Sequence, residues 1–265
     1  MTLNLAGYTL GANRPLNHSR ILWAPITGTI AAGGTNGALA ANDLTAQRWA
    51  CGALPSNWTL TTAANQNVDT VFIAAHNLGS TGSTLIVQTA AVVGGPYTTR
   101  ATVVPTDNDT IAVMINNAGT PYVVREVRVQ VTGASADAQI GIIRAGEALQ
   151  MERPFYGGHA PLNWSRKTEA EPQITEGGQW VGQIVRRISQ NTEYSWEHLT
   201  QAWYEANFEP FAQTLPNRPF GMIGNPSRLG AADVGWCWTG QDVAPQLMGV
   251  RDFVAVSLPV TGYAG

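Results

Sequence analysis

The groups in this chain able to bind a metal, attack a substrate or carry a proton are few: four histidines, two cysteines and 18 acidic residues among 265. The histidines, His18, His76, His159 and His198, lie far apart, and no HExxH, HxH or paired Cys/His spacing of the zinc type joins them. Glu169, Glu171 and Glu176 form the densest acidic cluster, beside Arg166 and Lys167. Two such carboxylates are what a glycosidase uses as acid and nucleophile. Pro172 and Gly177-Gly178 interrupt the stretch, and a solvated loop of mixed charge is the stronger reading. Asp107-Asn108-Asp109 clusters hard oxygen donors of the kind calcium takes, yet it lacks the glycine and distal glutamate of an EF-hand loop. The same residues are also ordinary turn formers between strands. His76-Asn77-Leu78-Gly79 directly follows an apolar run and reads either as a loop that contacts a ligand or as a turn with His76 capping a strand. Cys51 and Cys237 are read as two buried thiols.

These residues are set among short runs punctuated by turn chemistry. Gly 28 and Pro 15, with frequent Thr, Val and Asn, divide the first half into candidate strands at 58–60, 69–75, 84–91, 100–104, 110–115, 122–131 and 139–144. Within 122–131, Val127, Val129 and Val131 alternate with Glu126, Arg128 and Gln130, the period of a strand with one buried face. Seven such strands predict an antiparallel β-sandwich over residues 37–150. Residues 1–36 carry little periodicity and are expected to form an N-terminal arm. Their glycine-rich end, Gly33-Gly34-Thr35-Asn36-Gly37, is not followed by the Lys-Ser/Thr of a phosphate loop.

Residues 151–265 hold six of the nine tryptophans and predict a second β domain with one helix. Trp196, Leu199, Trp203 and Phe211 recur at multiples of three and four, Thr192 precedes them as N-cap, and Pro210 should end the helix, which places it at about 193–209. Strands are expected on either side, at 179–188, 234–238 and 253–260.

Composition excludes several classes. Charged residues make up 12% of the chain, about half the usual share, and only Lys167 among the 15 bases is a lysine. A net charge of −3 offers no basic patch for a phosphate backbone, so nucleic acid is not an expected partner. The apolar runs 71–75 and 111–115 are strand-sized and far short of a membrane helix, and the first residues lack a secretory signal. Scarce charge points instead to surface covered by partners.

Arg48-Trp49, Asn57-Trp58-Thr59-Leu60, the run 69–79 ending His76-Asn77-Leu78-Gly79, then 84–88, 122–129 and 140–143 together resemble a galactose-binding-like, discoidin-type jelly roll. With the second half, which carries Arg186-Arg187, the tryptophan-rich helix, Arg218-Pro219-Phe220 and Asn225-Pro226, the chain resembles structural proteins of long-tailed bacteriophages, of the distal tail or tail-tip type. Distal tail proteins usually place the ring-forming unit first, and this chain departs from that order. The resemblance implies a mainly β, non-enzymatic virion component, made in the host cytoplasm, without cofactor. It would assemble as a homo-oligomeric ring with other tail proteins at the tail tip or baseplate. The alternative it implies is an adhesin whose jelly roll grips a host-surface glycan. No ligand residue of the family is matched, so His76 and Asn77 stand as a possible ligand loop and Asp107, Asn108 and Asp109 as a calcium candidate on the residues alone.

Overall fold

The computed structural model describes the chain except residues 1, 6, 7, 9, 11–13, 134–136, 156, 228–232, 250, 251 and 265. It is mainly β, with 51% of residues in strands and one helix of 12 residues. Among the described residues the strands form three sheets. The outer sheet joins Thr29–Ala32, Ser56–Val68, Tyr122–Thr132, Thr84–Ala90 and Thr98–Val103 in that order. The middle sheet joins Thr2–Asn4, Ile111–Met114, Thr70–His76, Gln139–Gly146 and Trp49–Ala50. These two pack face to face as the expected jelly-roll sandwich, and all seven candidate strands of the first half are present.

The sandwich core follows from strand alternation. Val127, Val129 and Val131 point inward from the outer sheet and meet Val71, Ile73, Ile111 and Val113 of the middle sheet. The intervening residues of the middle sheet, Phe72, Ala74, Ala112 and Met114, point the other way and are equally buried. A third sheet covers them. It runs Leu149–Gln150, Arg20–Leu22, Phe220–Ile223, Val234–Trp238, Phe253–Gly262, Trp180–Thr200 and Arg166–Ile174. Leu22, Ile223 and Val234 press on Phe72 and Met114, while Trp236 packs with Ala74 and Ile142. The runs at 71–75 and 111–115 are therefore uninterrupted because both faces of their sheet are buried.

On its far side the third sheet carries the helix. Val254, Val256, Leu258 and Val260 alternate inward with Tyr194 and Trp196 against Phe208 and Phe211. The helix spans Gln201–Trp203, a π turn Tyr204–Phe208 and Glu209–Ala212, which corrects the expected 193–209. Residues 193–200 belong to the long strand Trp180–Thr200. Thr200, not Thr192, is the N-cap and accepts a hydrogen bond from the Trp203 N–H. The helix also continues through Pro210. Proline has no N–H to give and its ring crowds the preceding turn, and the wider π turn just ahead provides room.

Residues 1–36, read from sequence as an arm, instead give a strand to each sheet: 2–4 to the middle, 20–22 to the third and 29–32 to the outer one. Arg14 secures this thread by pairing with buried Asp69 and with Glu147 at 2.6 Å. Asp69 also accepts from the Ala148 N–H and the Thr70 hydroxyl at 2.8 and 2.9 Å, and burial pushes its carboxyl above the usual carboxylate range.

Candidate functional site

The sequence-derived ligand loop lies at one end of the sandwich, and its polar atoms are engaged within the chain. His76 is buried, with Nε2 2.8 Å from the Asp109 carbonyl and Nδ1 3.3 Å from the Leu78 amide. A carbonyl only accepts and an amide N–H only donates, so the proton sits on Nε2 and the ring is neutral. Burial lowers its pKa to about 4. Asn77 accepts from the Gln139 amide at 2.7 Å and donates to the Asp137 carbonyl at 2.9 Å.

The Asp107-Asn108-Asp109 run closes over the same turn. Asp107 accepts from the Asp109 amide at 3.0 Å, an Asx turn, and Asn108 accepts from the Ser80 amide at 3.1 Å. Gly79 is required beneath it, because a Cβ there would lie 2.3 Å from the Asp107 carbonyl oxygen. The structure thus brings the two sequence candidates together as interlocked turns. Among the described residues no group of three or more His, Cys, Asp or Glu side chains is placed to hold a metal ion.

The acidic cluster is not one loop: Glu176 sits in a turn, but its other two members do not. Glu169 and Glu171 lie on the strand Arg166–Ile174, where Glu169 pairs with Arg187 at 2.6 Å and Glu171 with Arg186. This strand pairs with residues 180–190 of the next one and forms the edge of the third sheet. Only from Gln190 onward does its partner also pair with Phe253–Gly262. Residues 166–188 are therefore a two-stranded arm of about 30 Å by the usual strand rise, standing clear of the body with nearly every residue exposed.

The arm is amphipathic. Directly opposed residues share a face, and beyond Arg166/Gln190 at its base the pairs Thr168/Ile188, Ala170/Val185, Pro172/Gln183 and Ile174/Trp180 make one side largely apolar. The pairs Lys167/Ser189, Glu169/Arg187, Glu171/Ile184 and Gln173/Gly182 make the other side, which is charged near its base and carries exposed Ile184 further out. Trp180 remains 67% exposed, and Ile174, Val185 and Ile188 are likewise uncovered. Sequence reading missed this surface although the alternation of Thr168, Ala170, Pro172 and Ile174 with Lys167, Glu169, Glu171 and Gln173 carries its signal.

No family model matches the chain, and no curated protein matches it. Solved structures similar to it include a chitosan-binding module from a chitosanase/glucanase of Paenibacillus sp. IK-5, at 18% identity and TM-score 0.39 over 46% of this chain and 96% of that one. A family 32 carbohydrate-binding module from C. perfringens NanJ, in complex with galactose, aligns at 13% identity and TM-score 0.37 over 44% of this chain and 91% of that one. The family 32 module of AlyQ, in complex with 4,5-unsaturated mannuronic acid, aligns at 14% identity and TM-score 0.37 over 47% and 96%. The structural neighbours are carbohydrate-binding modules of the discoidin-like, jelly-roll kind.

Proposed function

We propose that this chain is a non-catalytic assembly subunit that binds further copies of itself through the arm at residues 166–188. The exposed apolar face of that arm is the observation that carries the reading. A two-stranded ribbon has no core of its own and is marginal in water, so an uncovered face bearing Ile174, Trp180, Val185 and Ile188 calls for a partner. Edge-to-edge pairing is opposed by Pro172 and by charged neighbours on the edge strand, which leaves the face as the contact.

Charge favours a copy of this chain as the partner. Arg166, Lys167, Arg186 and Arg187 against Glu169, Glu171 and Glu176 leave the arm at +1, while the rest of the chain stands at −4. Area sets the geometry. A ribbon about 30 Å by 10 Å offers on the order of 300 Å², short of the roughly 800 Å² per partner of a stable interface. Reciprocal exchange of arms doubles that area, and adjoining body surface supplies the remainder. The setting of such an assembly at a phage tail tip rests on the sequence resemblance alone. Co-purification with tail-tube or hub proteins tests it.

Sedimentation velocity of the full chain tests self-association. The wild type is expected to sediment as an oligomer, and the triple variant Trp180→Ser, Val185→Ser, Ile188→Ser as a monomer with unfolding free energy within about 0.5 kcal/mol of wild type. A monomeric wild type, or an oligomer indifferent to the triple change, overturns the proposal. A second reading, compatible with the first, is that the jelly-roll half holds a carbohydrate. A cleft between the sandwich and the third sheet, lined by Asp43 and Arg144 of the jelly-roll half and walled by Trp23, Trp236 and Trp238, favours it, and binding on a glycan array tests it.

A further inference from the structure

Two adjoining hollows run between the sandwich and the third sheet, with volumes of about 480 and 380 Å³. Asp43, Arg218, Pro219 and Trp236 line both and make them one cleft. Trp23 walls the inner part and Trp238, 38% exposed, the outer part. Such volumes lie within the range of small-ligand sites, which combine apolar walls with a few placed polar groups.

The polar groups have a definite pattern. Arg144 donates to the Asp43 carboxylate at 2.9 Å, which sets a donor and an acceptor side by side. Its Nε, though buried, has no partner, and neither has the buried Nε1 of Trp236. Atoms buried this completely lie out of a ligand's reach, so the donors open to the cleft are those of its exposed side chains. Arg218 has no hydrogen-bond or ion-pair partner among the described residues.

We infer that this cleft binds an acidic saccharide, a sugar ring that carries a carboxylate. The inference deepens the carbohydrate reading above and rests on it. The flat C–H face of a pyranose stacks on indole, which accounts for the tryptophan walls. Vicinal hydroxyls each donate and accept, as the Asp43–Arg144 pair requires. Arg218 is left for the carboxylate, which a guanidinium takes with two parallel hydrogen bonds. A small inorganic anion would use the arginines but meet repulsion from Asp43, and it would leave the indoles idle.

Tryptophan fluorescence and calorimetric titration of the full chain test this with a galacturonate trisaccharide, the neutral galactose trisaccharide and inorganic phosphate. Galacturonate is expected to bind and change the fluorescence, neutral sugar to bind about tenfold more weakly or less well still, and phosphate not at all. Arg218→Ala should bring galacturonate to the neutral-sugar level, Arg218→Lys should recover part of the difference, and Trp238→Ala should weaken both sugars. Arg218 and Trp238 have exposed side chains, so these variants are expected to fold, and circular dichroism checks it. Equal affinity for the acidic and neutral sugars, phosphate competing with galacturonate, or variants that bind like wild type overturn the cleft assignment. If glycans still bind when Arg218 and Trp238 are replaced, the carbohydrate reading survives and only this site falls. If no saccharide binds, both fall.

Discussion

His76 shows how the candidate ligand residues work for the fold. Its ring is neutral in the folded chain, with a pKa of about 4 against an ordinary 6.5, and burial is the main cause. The unfolded chain takes up a proton near pH 6.5 and the folded chain only near 4, so between these values the unfolded state holds more protons. The stability contribution is therefore complete above about pH 6.5 and is lost as pH falls toward 4, by about 3 kcal/mol. Urea unfolding at pH 7.5 and 4.5 should show that slope in the wild type and a flatter one in His76→Gln; identical slopes would refute the assignment. The sequence offered His76 and Asn77 as a possible ligand loop and, separately, Asp107 to Asp109 as a calcium candidate, each with an ordinary turn as its other reading. It could not show that the turns interlock, because the Asn108–Ser80 contact at 3.1 Å joins residues 28 positions apart. Arg14 and Asp69, 55 positions apart, escaped notice for the same reason.

At the scale of elements, the misplaced helix has an instructive cause. Trp196 and Leu199 are three apart and both face the core, which reads as helical spacing. They do so in a strand because the pairing with Phe253–Gly262 shifts between them, with His198 at a φ of 58°. A bulge adds a residue and turns a period of two into an apparent three. Tyr194 and Trp196 keep the true alternation. The cap decides between the two placements: Thr200→Ala removes the acceptor of the Trp203 N–H and should cost about 1 kcal/mol with a loss of helical dichroism. Thr192→Ala removes only a hydroxyl that donates to the Ala160 carbonyl at 2.6 Å and should leave the helical signal unchanged. The arm was hidden for a different reason. Pro172 and Gly177-Gly178 are turn formers, yet Pro172 occupies an edge strand, where its missing N–H costs no ladder bond.

At the scale of the molecule, the low charge content has a source within the chain. A middle sheet buried on both faces needs apolar residues at most positions of its inner strands, and 71–75 is apolar and buried throughout. That accounts for part of the 12% without any partner, whereas the arm at 166–188, with seven charged residues, is richer in charge than the rest of the chain and does not explain the scarcity. The same stacking couples the sandwich to the third sheet mechanically. At Gly221 a Cβ would lie 2.5 Å from the ring of Phe72, so here the two sheets come together only because one has no side chain. Gly221→Ala must push the ring or the strand aside and should destabilise by about 1–3 kcal/mol. Gly240→Ala, with nothing within 4 Å of its Cβ, should be neutral or slightly stabilising. Because Phe72 and Met114 are shared between the two β units, near-ultraviolet dichroism of the third sheet's tryptophans and calorimetry should report one transition, lowered as a whole in Gly221→Ala. Two transitions, or a neutral Gly221→Ala, would mean that the sandwich and the third sheet are independent bodies that merely touch.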